Sequence, residues 1–297
     1  MNYPEDTSHM TKWIFKSKKE VDEICLKKYN DFKEKFKDHN VSIPKYAEIE
    51  KTKLYFCYQL THFCEIKRLK PQIVECAIVL YNRFYLKEII LEYDPPIKLE
   101  GYGRLYKMND FFNDIDINLD KVLEHENVVC SSLDFEINFL YTKESIYYLK
   151  SKFLNYINKY INKDNEIQNS FENICNQIYV NTVQDCLKII ESFAITFTYT
   201  PAQIALYCFV NNIKINFNIV NADKFILEFI TNNNQILFQK LKNKIDELHV
   251  RYKDHLDLRN TFDDENTTRQ IGETLDMCID IYEILKKKVA KNRRRKS

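Results

Sequence analysis

Chain breakers are scarce in this sequence. Three glycines and six prolines are spread over 297 residues. Sandwiches and barrels need turn residues at short, regular intervals, and this chain supplies few. Glycine and proline are also the residues that most disfavour a helix interior, so their scarcity favours long helices. An apolar fraction of 45% provides a core for them. The length fits one large domain or two small ones. The expected fold class is all-α.

The stretch with the most to say is KPQIVECAIVLYNRFYLKEIILEY, Lys70 to Tyr93. Pro71 suits a first helical turn, where its missing N–H would have no partner anyway. Ile73, Val74, Ala77, Ile78, Tyr81, Phe84 and Tyr85 recur at three- and four-residue steps, which predicts a helix with a broad apolar face. Asp94-Pro95-Pro96 is the expected stop. A second sharp signal is Tyr199-Thr200-Pro201-Ala202-Gln203-Ile204-Ala205-Leu206. Thr200 can cap, Pro201 takes the first turn, and Gln203 completes a capping box.

Both strings resemble the cyclin family, most closely its cyclin-H branch. The segment Tyr81-Asn82-Arg83-Phe84-Tyr85-Leu86, followed by Glu92-Tyr93, is similar to the second helix of a cyclin box, where an Arg-Phe pair follows an apolar helix. The Tyr199–Leu206 string is similar to one in the second box of that branch. Leu119, Val122, Leu123, Glu126, Val128, Val129 and Leu133, then Phe135-Glu136-Ile137, resemble the fifth helix and exit of a first box. The resemblance covers roughly residues 13–290. It implies two tandem five-helix cyclin boxes with flanking N- and C-terminal helices. The divisions would be 1–44 for a leader and amphipathic helix, 45–140 and 141–258 for the boxes, and 259–297 for a C-terminal helix and basic tail.

Along the chain, residues 1–12 read as a flexible leader. Ser17-Lys18-Lys19-Glu20 has the form of a capping box ahead of a helix with Val21, Cys25, Tyr29, Phe32 and Phe36 on one face. Residues 40–50 read as a linker around Pro44, and Lys53 to Ile66 as an apolar helix. Residues 97–113 are the awkward stretch: Gly101 and Gly103, with Lys98, Glu100 and Arg104, fall where the family has a smooth apolar third helix. Either that helix is short here or the register departs from the family's. Helices follow at about 142–160, 166–196, 200–212, 221–231 and 233–254. Arg259 to Thr268 is a polar break. Ile271, Leu275, Cys278, Tyr282, Leu285 and Val289 then form a stripe suited to packing on another helix.

The chemistry of an enzyme is missing from the motifs. There is no Gly-rich phosphate loop, no GxSxG, no HExxH and no Asp-Phe-Gly string. No catalytic residue, cofactor or metal ligand is expected. Nine cysteines without a CxxC pair read as reduced, buried thiols of an intracellular protein. No signal peptide and no membrane-spanning run is expected. A formal net charge of +1 gives the molecule no overall bias toward nucleic acid or membrane, and acids balance the bases along most helices. Direct nucleic-acid binding, membrane contact and homo-oligomers are not expected.

The resemblance supplies a function. A cyclin presses a groove between its third and fifth helices against the C-helix of a cyclin-dependent kinase and so stabilises the active kinase conformer. Mapped onto this chain, Lys107 and Glu126 stand in for two residues that bracket the contact with polar bonds. Cys130, Phe135 and Ile137 stand in for apolar residues that receive the kinase helix. For Phe135 and Ile137, plain core packing is an equally good reading of the sequence. The cyclin-H branch further implies a CDK-activating kinase, a RING-type assembly factor, general transcription factor subunits and action on the RNA polymerase II C-terminal repeats. Lys286, Lys287, Lys288, Arg293, Arg294, Arg295 and Lys296 read as a solvated basic tail or a nuclear localisation signal. The alternative function is a cyclin-box transcription factor or scaffold that binds nucleic acid or other proteins without a kinase.

Overall fold

A computed structural model describes residues 7–39, 41–93, 119–160, 165–217 and 220–294, with the backbone alone at 119–125, 165–170 and 288–294. The stretch 97–113, and Lys107 in it, lies outside the described residues. The described residues are helical, with no strand among them. In chain order the helices are α1 (Ser8–Trp13), α2 (Lys18–Lys35), α3 (Tyr46–Ile66), α4 (Pro71–Lys87), α5 (Leu119–Ser132), α6 (Thr142–Tyr160), α7 (Asn165–Ile190), α8 (Phe193–Thr198) and α9 (Pro201–Asn216). Next comes α10 (Ala222–Phe225), which runs into a π-helical turn, Ile226–Ile230. Then follow α11 (Gln235–Arg259), a 3-10 turn at Asn260–Asp263, and α12 (Glu265–Arg294). The chain divides into two compact units, one holding Phe15–Leu69, Ala77–Ile137 and the chain from Asp257, the other holding the chain up to Ile14, Lys70–Cys76 and Asn138–Leu256.

In the first of these units, the predicted stripe of α2 is buried as expected: Val21, Cys25, Tyr29, Phe32 and Phe36. Ser17 caps the helix by accepting the Glu20 N–H at 3.4 Å. Glu20 reaches past Ser17 and accepts the Lys16 N–H at 3.1 Å, so the reciprocal half of the capping box is displaced by one residue. The α3 helix starts at Tyr46, inside the stretch expected to be linker, because the Glu48 carboxylate accepts the Lys45 N–H at 2.8 Å and starts the turn directly after Pro44. Its buried side includes Tyr55, Phe56, Cys57, Thr61 and Cys64. Helix α4 ends at Lys87, short of the expected proline stop. The Lys28 ammonium donates to the carbonyls of Leu86 and Lys87, a cation at a helix C-terminus. The chain then turns, and Ile90 and Leu91 fall into the core at 1% and 0% exposure.

Helix α12 packs on α3. Tyr55, Phe262 and Ile271 form one buried cluster with Leu54, Tyr58 and Leu275 around it. Tyr55 and Phe262 meet edge to face at 5.5 Å between centroids. The polar break before α12 therefore carries a core residue, Phe262, on its 3-10 turn. Thr267, Ile271, Thr274, Cys278 and Ile281 are the buried positions among the described side chains of α12.

The other unit is built around α9. Thr200 accepts the Gln203 N–H at 3.2 Å and Gln203 accepts the Thr200 N–H at 2.9 Å, the reciprocal capping box read from the sequence. Ile204 through Val210 are buried without a break, so α9 is covered on every side, with α6 and α7 against it. Phe153 of α6 lies edge to face with Phe209 at 5.7 Å and with Phe225 at 5.4 Å. Residues expected to be a flexible leader include α1: Trp13 stacks on Phe197 at 6.3 Å, and His9 Nδ1 accepts the Leu140 N–H at 3.0 Å. His9 and Trp13, at i and i+4, share the buried face of this short helix, which tertiary packing holds.

Candidate functional site

Of the residues singled out for kinase contact, the four that are described, Glu126, Cys130, Phe135 and Ile137, lie on α5 and in the segment that follows. Glu126 is exposed and Cys130 is half-buried. Phe135 is 71% exposed and Ile137 47%. The open choice between core and surface for these two side chains is thus decided for the surface. Val128, at 37% exposure, adds to the apolar character of the same helix end.

Backbone geometry explains why two large apolar side chains point outward. Helix α5 ends in a Schellman motif: the Phe135 N–H bonds to the Cys130 carbonyl at 2.8 Å and the Asp134 N–H to the Ser131 carbonyl at 3.0 Å. The motif needs a left-handed residue, and here there are two, Asp134 at φ 53° and Phe135 at φ 59°. Asp visits that region at modest cost through local hydrogen bonding, whereas a bulky aromatic does so only under strain. No glycine relieves it.

Three anchors hold the segment. Leu133 is fully buried. The Lys87 ammonium pairs with Asp134 at 3.0 Å, a contact exposed enough to contribute little by itself. The third anchor is Arg83, whose Nη1 donates to the Glu136 carbonyl at 2.9 Å from a side chain only 1% exposed. A bond from a desolvated guanidinium is worth about 1.5–3 kcal/mol. Arg83 was legible as part of a motif but not as the support of the exit segment. Its signal was a cation inside an otherwise apolar run, Tyr81 to Leu86.

Of the basic positions at the C-terminus, Lys286 and Lys287 are exposed on α12. Lys286 lies 3.5 Å from Glu283 and over the Tyr282 ring. The backbone of Lys288, Arg293 and Arg294 is helical, so α12 runs further than a solvated tail would; Arg295 and Lys296 lie outside the described residues.

A titratable group that the sequence did not flag is Glu75, 4% exposed on α4. Its carboxylate accepts the Thr142 N–H at 2.8 Å and the Thr142 hydroxyl at 3.1 Å, capping α6. Burial pushes this carboxyl up to about 7, against the opposing pull of those two bonds. No cluster of metal-ligating side chains occurs among the described residues, and no helix among them is long and apolar enough to cross a membrane.

No protein-family model matches the sequence, and no curated protein matches it. Solved structures do match. A chain of the CAK complex from Chaetomium thermophilum bound to ATP-γ-S aligns over 96% of this chain and 94% of its own, with a TM-score of 0.65 at 14% identity. The fold is a cyclin fold. A chain of the yeast TFIIK (Kin28/Ccl1/Tfb3) complex aligns over 81% of this chain and 99% of its own, with a TM-score of 0.52 at 17% identity. The cyclin resemblance read from short strings is therefore met in three dimensions.

Proposed function

We propose that this chain is the regulatory subunit of a cyclin-dependent kinase of the CDK-activating type, in the manner of cyclin H. It supplies binding energy and no chemistry: it selects the kinase conformer in which the C-helix is swung inward, and its own residues touch no reacting atom. The observation that carries this reading is the exit of α5, where a strained, anchored backbone presents Phe135 and Ile137 to solvent beside Glu126. Backbone strain that the surrounding structure holds in place clusters at ligand clamps and other functional sites, and here it sits under an exposed aromatic. In this reading Glu126 and Lys107 bracket the kinase helix, and Cys130, Phe135 and Ile137 receive it. The matched complexes, a CAK complex and TFIIK of Kin28, Ccl1 and Tfb3, support a kinase partner.

The finer parts of the proposal follow from the same kinship. The first box spans 45–140 and the second 141–258. Kinase activation loops and the RNA polymerase II C-terminal repeats are the targets. A RING-type assembly factor and general transcription factor subunits are further partners, and the basic C-terminus directs the chain to the nucleus. The test is titration of the purified chain against a CDK-activating kinase subunit, with kinase activity read alongside. A saturable complex that raises activity is expected. A chain that binds no such kinase, while Phe135→Ala leaves every other property unchanged, would return the fold to a scaffold role.

A further inference from the structure

The face shared by α6 and α7 has an unusual composition. Charged residues are 29% of the chain, yet residues 173–184 of α7 carry none, and α6 has no acid from Ser145 to Tyr160. The exposed positions on that part of α7 are Asn, Gln and Val180, the last at 47% exposure. Solvated helix faces interleave both signs of charge. This one has no acid from Ser145 to Tyr160 or from Asn173 to Gln184, and it exposes tyrosine, a residue enriched at interfaces.

The centre of the face is a pair of tyrosines. Tyr147 of α6, 51% exposed, lies against Tyr179 of α7 with ring centroids 5.2 Å apart. A lysine flanks each ring: Lys143 stands 5.6 Å from the Tyr147 centroid and Lys150 5.4 Å from that of Tyr179. Lys150 also donates to the Asn176 side chain at 2.7 Å, which fixes its head in place. The nearest acids in sequence are Glu144, three residues before Tyr147, and Glu172, seven before Tyr179; both are exposed. The centre is thus apolar and aromatic with two positioned cations, and its complement is a chain bearing carboxylates between apolar side chains.

We propose that this face docks an acidic segment of a partner protein. Its residues belong to a different unit from Glu126 and Phe135, and the proposal does not rest on the kinase reading. The test is a fluorescence-anisotropy titration of the full chain with three probes. These are a labelled peptide of Asp and Glu broken by Leu and Phe, the same peptide with Lys for every acid, and a single-stranded oligonucleotide. The acidic peptide should bind and the basic one should not. Lys143→Glu with Lys150→Glu should weaken binding at least ~10-fold, and Tyr147→Ala by about the same factor, with unchanged thermal melts. No binding of the acidic peptide, or equal binding by parent and variants, would overturn the proposal. So would tighter binding of the oligonucleotide that depends on the same two lysines, since that marks a phosphate-backbone site.

Discussion

Phe135 holds a conformation that its own side chain does nothing to stabilise in the free protein. The ring is mostly in water, and its backbone sits at φ 59°, a region that costs a residue with a Cβ roughly 1–2 kcal/mol. Removing the ring should therefore cost little stability. Phe135→Ala is expected to melt within about 0.5 kcal/mol of the parent. Phe135→Gly should be more stable than Phe135→Ala, because glycine relieves the left-handed strain and its extra unfolded-state entropy offsets only part of that gain. Both should bind the kinase more weakly, by on the order of 2 kcal/mol, the usual cost of truncating an aromatic anchor. Thermal melts beside kinase titrations separate these effects, and an alanine variant that melts well below the parent would mean the ring packs inward. Glu126 lies on the exposed side of α5. Glu126→Ala should weaken kinase binding about tenfold to a hundredfold with no change in melting temperature, as expected for loss of one charge-assisted bond. If Glu126→Ala binds and activates like the parent, the docking groove lies elsewhere on the fold.

At the scale of elements, two buried polar side chains tie segments that are distant in sequence. Arg83 of α4 holds the exit of α5 through the Glu136 carbonyl. Arg83→Met keeps much of the volume and removes the donor. It should destabilise the protein by ~2 kcal/mol or more, and it should also weaken kinase binding, since Phe135 and Ile137 then lose their support. A stability loss with kinase affinity intact would separate the anchor from the docking surface. Glu75 caps α6 from α4, and its carboxyl titrates at about 7 in the folded chain against 4.5 in the unfolded one. Between these values the folded chain holds more protons, so stability falls as pH rises through that window and is level above it. The full loss is on the order of 3 kcal/mol. Glu75→Gln keeps an acceptor for the Thr142 N–H and has no proton to lose. The parent should lose melting temperature relative to Glu75→Gln between about pH 4.5 and about pH 7; parallel curves would show that the carboxyl does not titrate there.

For the molecule as a whole, the packing of the C-terminal helix and the role proposed for its basic positions can be separated. Its positions from Ile271 to Ile281 pack in the unit that also contains α3, whereas Lys286 and Lys287 are exposed. Truncation after Leu285 removes the basic positions and leaves the packed stripe. Stability and kinase activation should persist, and nuclear accumulation should fall. Unchanged nuclear accumulation, read by microscopy of tagged chains, would return the basic positions to ordinary solvated charge.

Local sequence settled much of what depends on neighbours a few residues apart, though not the start of α3, which Glu48 caps from three residues on. The shortage of glycine and proline determined an all-helical chain, three- and four-residue steps determined the buried stripe of α2, and Thr200-Pro201-x-Gln203 determined the start of α9. These are i to i+3 and i+4 interactions, and the sequence contains both partners. Tertiary structure alone decided the rest, because the deciding partner lies tens of residues away. Helix α4 stops at Lys87 because Lys28 takes its last carbonyls. The leader forms α1 because Phe197 and Leu140 are there to meet Trp13 and His9. Phe262 is core because α3 offers Tyr55. Phe135 faces solvent because Leu133 and Arg83 fix the backbone on either side of it. An apolar residue in a sequence says only that it can be buried. Whether it is left outside, available to a partner, depends on which of its neighbours the fold has already committed to the core.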